Sequence, residues 1–337
     1  PPTPTRADVT FLRTEALVNV ERAQAVMTRE NIDAFVDTQP TNVFYLGNHW
    51  PNLDRMGFRH SVFVIYPRDP QRPVALVMSG FLHYYRYADD VELPNRIVFP
   101  YTVPEADGSA APTRMHRVLD ESLLSEREIH RRKTSASAET PSPSAEVALQ
   151  RALQHLGLTR ARIAIDDPAI ERLLQKRDFA GTTTYAEDHL RRIRFAKSPA
   201  EIRLMRIAAQ HNVDAAMAMV ATVRTAGSTG VLRNRFFSEA TARGNQPVFI
   251  VIDGSSSEIA DAPIRDGMAF SIDCVSSFLD YHGDFARTIF VGEPHRLMRR
   301  GTSAIFTAWQ EVRSQLRPGM RFVDVQRIGR ESMKKQG

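Results

Sequence analysis

The amino-acid sequence predicts a mixed α/β protein in two domains. Its 337 residues exceed the length at which a single hydrophobic core usually stops growing. In the first half, strand-like apolar runs alternate with segments of helical periodicity, which is typical of a sheet covered by helices. In the second half, a long amphipathic helix precedes a pair of strand-like runs that carry charged residues. We place the boundary at Gly181, which gives domains over residues 1–181 and 182–337.

The elements of the first domain follow from periodicity and turn residues. Val20, Ala23, Val26 and Met27 recur at helical spacing, and DAFVDT after them predicts a short buried strand. PTNVFYLG is interpreted as a turn-to-strand element. HSVFVIYP and PVALVM predict two strands joined by the turn-forming RDPQR. Further along, VALQRALQHLG predicts a helix, RIAIDD a strand and residues 170–177 a short helix.

The second domain is predicted to begin with a long helix. Ser198 can cap it, Pro199 suits its first position, and Glu201 completes the start signal. The apolar periodicity predicts a buried face made of Ile202, Met205, Ala208, Ala209, Val213 and Met217. VLRNRFFSEATARG then predicts a shorter helix, PVFIVIDG a strand, and TSAIFTAWQEVRSQLRPGM and FVDVQRIGRESMKKQG two helices that follow the strand pair.

Composition excludes several classes of protein. Hydrophobic content of 42% and charged content of 25% are those of a globular chain, and no run approaches the roughly 18 apolar residues of a membrane span. The single cysteine, Cys274, leaves no internal disulfide and fits a reducing compartment. With no signal-peptide pattern at the start, we expect a cytoplasmic location. The net charge of +5 is spread along the chain without a nucleic-acid motif, so we expect a solvated basic surface rather than nucleic-acid binding.

Two carboxylates carry the chemistry of the second domain. Asp273 ends an apolar run, and Asp284 follows 11 positions later in a second run. If a hairpin turn lies near residues 279–283, the two side chains lie on adjacent antiparallel strands within roughly 5–8 Å. Carboxylates so close repel each other unless a cation lies between them, so the pattern favours a shared metal site. A hairpin with two polar residues at its rim is the alternative. We expect His282 to point away from Asp284.

Three segments together resemble one known superfamily. IDCVSSFLDYHGDFARTIFVG resembles the metal-binding hairpin of the Xaa-Pro aminopeptidase, prolidase and creatinase superfamily, whose catalytic domain has the pita-bread fold. The residues that fit its second-strand pattern are Tyr281, Asp284, Arg287, Thr288 and Gly292. RRIRFAKSPAEI resembles the opening of the catalytic domain, and PTNVFYLG resembles part of the N-terminal domain. Over about residues 17–335, the resemblance implies a creatinase/prolidase-like α/β domain followed by the first part of a pita-bread α+β domain.

The resemblance also implies a function. It implies a metal-dependent hydrolase of an amide bond, most simply an Xaa-Pro aminopeptidase or dipeptidase, in which two divalent ions (Mn, Co or Zn) hold the attacking hydroxide. By position, Asp273 would bind one metal and Asp284 would bridge both. Arg287 and Thr288 would orient the bridging carboxylate. The substrate would be a peptide or a small amide.

Further roles are implied for Tyr281 and His49. Both would contact the substrate, and His49 lies in a loop that can approach the partner's active site in dimers of this superfamily. The resemblance therefore also implies a homodimer.

Two departures from the superfamily pattern bear on activity. The superfamily completes its metal shell with one His and two Glu residues beyond the position of Gly337, so we expect a chain truncated before the third ligand and inactive by itself. The peptidases carry a His in the loop before the first metal strand, whereas this chain has none between His211 and His282. Asp261 or Glu258 could supply a polar group there. A creatinase-like amidohydrolase on a small non-peptide amide, and a non-catalytic binding module, are therefore alternative hypotheses.

Overall fold

The computed structural model describes residues 7–51, 53–88, 95–102, 120–136, 138–177 and 179–336. Within these ranges the chain forms two compact units, one made of residues 7–206 and the other of residues 207–336. Our domain boundary at Gly181 stays a prediction, because compactness alone does not define where a domain begins. No helix in the described ranges is both long enough and apolar enough to cross a membrane.

The first unit is built on a six-stranded sheet with the strand order β4-β3-β2-β1-β5-β6, in which β1 pairs antiparallel with β2 and parallel with β5. Its strands are β1 (Ala34–Asp37), β2 (Val62–Pro67), β3 (Val74–Ser79), β4 (Arg96–Tyr101), β5 (Arg162–Ile165) and β6 (Thr182–Tyr185). Its helices are α1 (Val20–Arg29), α2 (Pro40–Gly47), α3 (Gly80–Leu82), α4 (Glu126–Ala136), α5 (Ala145–His155), α6 (Pro168–Gln175) and α7 (Glu187–Arg194). Short 3-10 or π-helical turns occur at Thr10–Arg13, Leu53–Met56, His83–Tyr87 and Glu121–Leu123.

Most predicted elements of this unit are confirmed, but PTNVFYLG is not a turn-to-strand element. It forms helix α2, with Pro40 in the first turn and Asn48 in the left-handed conformation at its end (φ 57°). The segment is buried from Asn42 to Gly47, so it lacks the polar face that distinguishes a helix from a strand by periodicity. In the sequence, Pro40 is typical of the first turn of a helix and Asn48 of the residue that ends one, and these two residues could have indicated the helix.

Buried strands make this sheet the core of the first unit, and one carboxylate lies inside it. Asp37 ends β1 with 0% exposure, and both of its carboxylate oxygens lack a hydrogen-bond partner among the described residues. Its neighbour Asp166 accepts hydrogen bonds from Thr38 N (2.9 Å), Gln39 N (2.8 Å) and Asn42 Nδ2 (2.9 Å). Burial, together with the charge of Asp166, raises the pKa of Asp37 well above its usual value.

The second unit is built on a three-stranded antiparallel sheet with the order β7-β8-β9. Its strands are β7 (Gln246–Ile252), β8 (Ala269–Phe278) and β9 (Tyr281–Phe290). Helix α8 (Pro199–Val220) continues into this unit from the first, and the helices that follow are α9 (Val223–Ala226), α10 (Thr229–Ala242), α11 (Arg296–Gln315) and α12 (Phe322–Gln336). Strands β8 and β9 are joined through Leu279 and Asp280, both with positive φ (47° and 63°), as in the turns that match the twist of a hairpin.

The start of α8 is as predicted, but most of its buried face is not. Ser198 N donates to Glu201 Oε2 (2.9 Å), and Glu201 N donates to Ser198 Oγ (3.1 Å), which is a reciprocal capping box. Ile202, Met205 and Met217 are wrongly predicted as buried, since 39–52% of each is exposed, and Ala209 is exposed as well. The buried positions are Ala200, Glu201, Leu204, Ala208, Asn212, Ala215, Ala216 and Met219. Polar residues lie within this stripe, so counting apolar residues rotates the predicted face away from the true one.

Candidate metal centre

Strands β8 and β9 bring the two predicted carboxylates onto one face of the sheet. Asp273 pairs with Ala286, and Asp284 pairs with Val275, so the two aspartates are diagonal neighbours across the hairpin. Diagonal positions on one face lie roughly 7–8 Å apart at Cα, within reach of side chains that lean toward each other. Asp273 is half-buried and Asp284 is exposed.

The two faces of this hairpin differ in character because side chains alternate along each strand. We call one face the carboxylate face; its residues are Ser271, Asp273, Val275, Ser277, His282, Asp284, Ala286 and Thr288. The opposite face packs on the helices α8 and α10. There Ile272, Cys274 and Phe285 join Ala216 and Phe236 in one apolar cluster. The hairpin is therefore anchored by one face and presents its carboxylates on the other.

The electrostatics of the pair suit a bound cation. Asp273 Oδ1 is buried and accepts no hydrogen bond from any described residue. Burial raises the pKa of the Asp273 carboxyl, as do the negative charge of Asp284 and the hydrogen bonding between the two side chains. A divalent cation between the carboxylates would remove the repulsion and give the orphaned oxygen a partner.

The donor set fits a metal in kind but supplies only part of its coordination shell. Carboxylate oxygens suit Mg, Mn or Ca, and Zn or Co bind more readily when His is added. Among the described residues, no group of three or more His, Cys, Asp or Glu side chains is arranged to hold a metal ion. Asp273 and Asp284 therefore form a pair of candidate ligands, and additional oxygen or nitrogen atoms must complete the shell.

The other predicted residues of the hairpin divide between its two faces. Thr288 lies on the carboxylate face, opposite Ser271. Arg287 lies on the opposite face, where its guanidinium is 4.2 Å from the centroid of the Phe285 ring and Nη1 donates to Ala286 O (2.6 Å). Tyr281 begins β9 on that same face. The structure does not bring Arg287 or Tyr281 to the carboxylate pair, and their roles stay predictions.

His282 is the residue whose predicted orientation is wrong. It pairs with Ser277 and lies on the carboxylate face, two positions before Asp284. Residues two apart on a strand point to the same side, so the alternation places the two side chains together rather than apart. His282 is exposed.

His49 lies in the first unit. It is 1% exposed, and its ring centroid is 5.9 Å from that of Tyr87. His49 is thus an interior side chain of this unit rather than part of an exposed loop, and a role in binding substrate stays a prediction.

Two acidic residues of the loop between β7 and β8 make contacts with helix α10. Asp261 accepts hydrogen bonds from Gly230 N (2.7 Å), Ser228 Oγ (3.0 Å) and Thr229 Oγ1 (3.3 Å) at the start of α10. These bonds lower the pKa of the Asp261 carboxyl. Glu258 lies 3.9 Å from the Nε atom of the buried Arg233. Asp261 therefore caps the start of α10, and a role for Asp261 or Glu258 in place of a substrate-binding His stays a prediction.

Sequence reasoning missed a buried polar network behind the carboxylate face. Asn212 Nδ2 donates to Cys274 O (2.8 Å), Ser276 Oγ donates to Asn212 Oδ1 (2.7 Å), and Asn245 Nδ2 donates to Ser276 Oγ (2.8 Å). Asn212, Asn245 and Ser276 are each at most 2% exposed. Isolated Asn and Ser residues produce no periodic pattern. The available signal was an Asn spaced four residues from Ala208 on a helix.

Gly283 was another missed residue of the hairpin. A Cβ atom at this position would lie 2.4 Å from Ala208 O and 2.6 Å from Asn212 Cβ. No other residue type fits unless α8 and β9 move apart. A glycine inside a strand-like run often marks such a close approach, which is the signal that was available.

Comparisons with known proteins agree with this fold. Residues 203–337 match the model of metallopeptidase family M24. The structure resembles a dipeptidase from Pyrococcus horikoshii with a TM-score of 0.63 at 15% identity, covering 94% of this chain and 78% of that one. A prolidase from Pyrococcus furiosus gives 0.58 at 16% identity (93% and 78%), and an Xaa-Pro dipeptidase from Bacillus anthracis gives 0.61 at 14% (94% and 77%). No curated protein matches the sequence. The predicted prolidase-like α/β architecture is confirmed.

Proposed function

We propose that the chain is a peptidase-type hydrolase whose metal ligands are Asp273 and Asp284, a proposal supported by the match of residues 203–337 to the model of metallopeptidase family M24. We infer further that the reaction is the hydrolysis of an Xaa-Pro peptide bond. The names of similar structures, prolidase and Xaa-Pro dipeptidase, support this substrate class. The choice among Mn, Co and Zn, the homodimer and the cytoplasmic location stay predictions.

One observation carries the proposal. Two carboxylates occupy diagonal positions on the same face of a hairpin, and one of them keeps a buried oxygen without a partner. Such an arrangement opposes folding in the absence of a counter-charge, because the Asp273 carboxylate is partly removed from water and is repelled by that of Asp284. A cation bound between the two carboxylates would attract both of them, so that the net repulsion becomes a net attraction. The arrangement therefore supports a binding role more than a structural one.

The residues of the carboxylate face have different proposed roles in binding metal. Two divalent cations held there would supply Lewis-acid chemistry, namely the activation of water and the polarisation of the scissile carbonyl. Asp273, which is half-buried, and Asp284, which is exposed, would hold these ions. Thr288 shares this face and could donate its hydroxyl to a carboxylate oxygen. The family match favours a peptidase over the amidohydrolase and binding-module hypotheses.

Metal binding by the full chain tests the proposal. Mn²⁺, Co²⁺ and Zn²⁺ would be measured by equilibrium dialysis and elemental analysis for the wild type, Asp273→Asn and Asp284→Asn. The matched control is Asp266→Asn, since this carboxylate is 83% exposed and belongs to the same unit. We expect about one equivalent or more in the wild type and the control, and at least a tenfold loss of affinity in the two site variants.

A wild type that binds less than about one equivalent, with Asp284→Asn no different, would contradict the proposal. The substrate is tested separately on metal-loaded protein, with an Xaa-Pro dipeptide, the same dipeptide with Ala in place of Pro, and a small non-peptide amide. Preference for the Xaa-Pro dipeptide supports the inference. Turnover of the non-peptide amide alone would favour the amidohydrolase hypothesis.

A further inference from the structure

Asn212 holds the strand that carries Asp273. It lies in the middle of α8 with 0% exposure, where a polar side chain is costly unless its hydrogen-bonding groups are satisfied. Its Nδ2 atom donates to Cys274 O at 2.8 Å, and its Oδ1 atom accepts from Ser276 Oγ at 2.7 Å. Cys274 directly follows Asp273. The side chain of Asn212 thus fixes the backbone of β8 one residue from the first carboxylate.

The neighbouring strand β7 is irregular one to two residues further along β8 from this contact. The pairing of β7 with β8 shifts between Pro247 and Phe249, and Pro247 lies opposite Ser276. Proline has no N–H to donate, and a bulge interrupts the regular pairing of the backbone. The amide of Asn212 adds a hydrogen bond to β8 at Cys274 O, close to this irregular stretch, although Cys274 itself pairs with Ile250 of β7.

Asn212 also touches the strand that carries Asp284. A Cβ atom on Gly283 would lie 2.6 Å from the Asn212 Cβ, so the backbone of β9 rests directly on this residue. Gly283 immediately precedes Asp284. One residue of α8 therefore contacts both strands, in each case next to a carboxylate.

The orientation of the Asn212 amide is fixed by the rest of the network. Asn245 Nδ2 donates to Ser276 Oγ (2.8 Å) and to Ala208 O (3.1 Å), and its Oδ1 atom is 3.0 Å from His211 Nδ1. Since Ser276 Oγ accepts from Asn245, its own hydrogen is directed to Asn212 Oδ1. A fully satisfied buried network of this kind is rigid and leaves the amide a single orientation.

We propose that Asn212 is the positioning residue of the carboxylate pair, setting the separation of Asp273 and Asp284 from behind the sheet. The inference rests on the proposed role of these aspartates as metal ligands. Ligands must be held within about 0.5 Å of a productive geometry, and the residues that hold them typically affect metal affinity by about 10- to 100-fold. Asn212 acts through the backbone of both strands and does not touch the metal or the substrate.

The test compares Asn212→Ala with Asn245→Ala in the full chain. Both substitutions remove a buried amide from one network, but no hydrogen bond of Asn245 reaches Cys274 or Gly283 among those that hold the network together. Mn²⁺ affinity is measured by calorimetry, thermal midpoints give the loss of stability, and hydrogen exchange reports backbone amides 273–275 and 283–285. We expect Asn212→Ala to weaken Mn²⁺ binding about tenfold or more, and Asn245→Ala, which removes a partner of Ser276 Oγ, to weaken it at least about threefold less than that.

Hydrogen exchange should accelerate at both carboxylate strands in Asn212→Ala beyond the change elsewhere in the unit. Equal losses of affinity in the two variants, or an unchanged affinity in Asn212→Ala, would overturn the inference. If Asn212→Ala does not fold, Asn212→Ser takes its place, since its shorter side chain cannot reach Cys274 O. A wild type that binds none of Mn²⁺, Co²⁺ and Zn²⁺ refutes the proposed function instead. In that case, exchange that accelerates locally only in the Asn212 variant supports positioning, and uniform acceleration in both variants overturns it.

Discussion

The backbone at Gly283 lies against the backbone at Ala208, so that a Cβ atom on the glycine would fall 2.4 Å from the alanine carbonyl oxygen. Both partners are main-chain atoms held in regular structure, one in β9 and one in α8. Neither can rotate aside as a flexible side chain would. The contact is therefore the least tolerant point that we find in the packing of the hairpin on the helix.

Gly283→Ala should lower the free energy of unfolding by roughly 1–3 kcal/mol or more, because the helix and the strand must separate to admit a methyl group. The control is Gly301→Ala in α11, where a Cβ atom would meet nothing within 4 Å. That substitution should raise stability by about 0.5–1 kcal/mol, since alanine favours the helix. Urea unfolding of both variants measures the difference. Equal stability of Gly283→Ala and the wild type would disprove the close contact.

Because the two carboxylates lie close together, we expect the pKa of Asp273 to depend on the charge of Asp284. Asp284→Asn should lower the pKa of Asp273, because it removes one of the charges that raise it. Titration of the Asp273 carboxyl carbon by NMR measures this change, with Asp266→Asn as the control that should leave the pKa unaltered. Saturating Zn²⁺ should also move the titration to lower pH in the wild type. A pKa for Asp273 that is indifferent to Asp284 would show that the two side chains do not interact.

Because Asp37 is buried without a hydrogen-bond partner for its carboxylate in the part of the chain that the structure describes, we expect the free energy of unfolding to fall as the pH rises. Because the folded pKa of Asp37 is raised, the unfolded chain loses this proton first, from about pH 4 upward, and the folded state is progressively disfavoured until its own pKa is reached. Asp37→Asn removes the ionisation and should stabilise the protein at neutral pH on the order of 1 kcal/mol or more. Chemical unfolding at several pH values measures both effects.

The pH series contains its own control for this prediction. Below about pH 3, Asp37 is protonated in both the folded and the unfolded states, so wild type and Asp37→Asn should have nearly equal stability. A constant difference between them across the whole series would mean that ionisation is not its cause. A wild type that is more stable than the variant at neutral pH would show that the Asp37 carboxylate has a counter-charge in solution.

Much of the fold was predictable because its signals are local. The reciprocal contact of Ser198 with Glu201 follows from residue types at fixed spacing, and so does the position of Asp273 and Asp284 on adjacent strands. The alternation of side chains along a strand also determines the face on which His282 lies, and this orientation was predicted wrongly only because the period of two was not applied to it.

The rest depends on contacts that no local pattern contains. The buried face of α8 includes Asn212, and its burial is tolerable only because Cys274 O and Ser276 Oγ, some 60 residues later, are there to pair with it. Gly283 is ordinary in its own strand and becomes indispensable only beside Ala208. Such requirements arise from tertiary pairing, and a sequence inspected one segment at a time cannot reveal them.

The support of the hairpin by α8 also bears on how this protein can be recombined with related chains. The helix and the hairpin are about 60 residues apart in sequence, yet Asn212 and Gly283 fit only as a matched pair. A chimera whose crossover falls between them would inherit a carboxylate pair from one parent and its support from the other. Crossovers before Ser198 or after Phe290 keep both together with the capping box of α8, so residues 198–290 form a block in which this part of the protein can be exchanged intact.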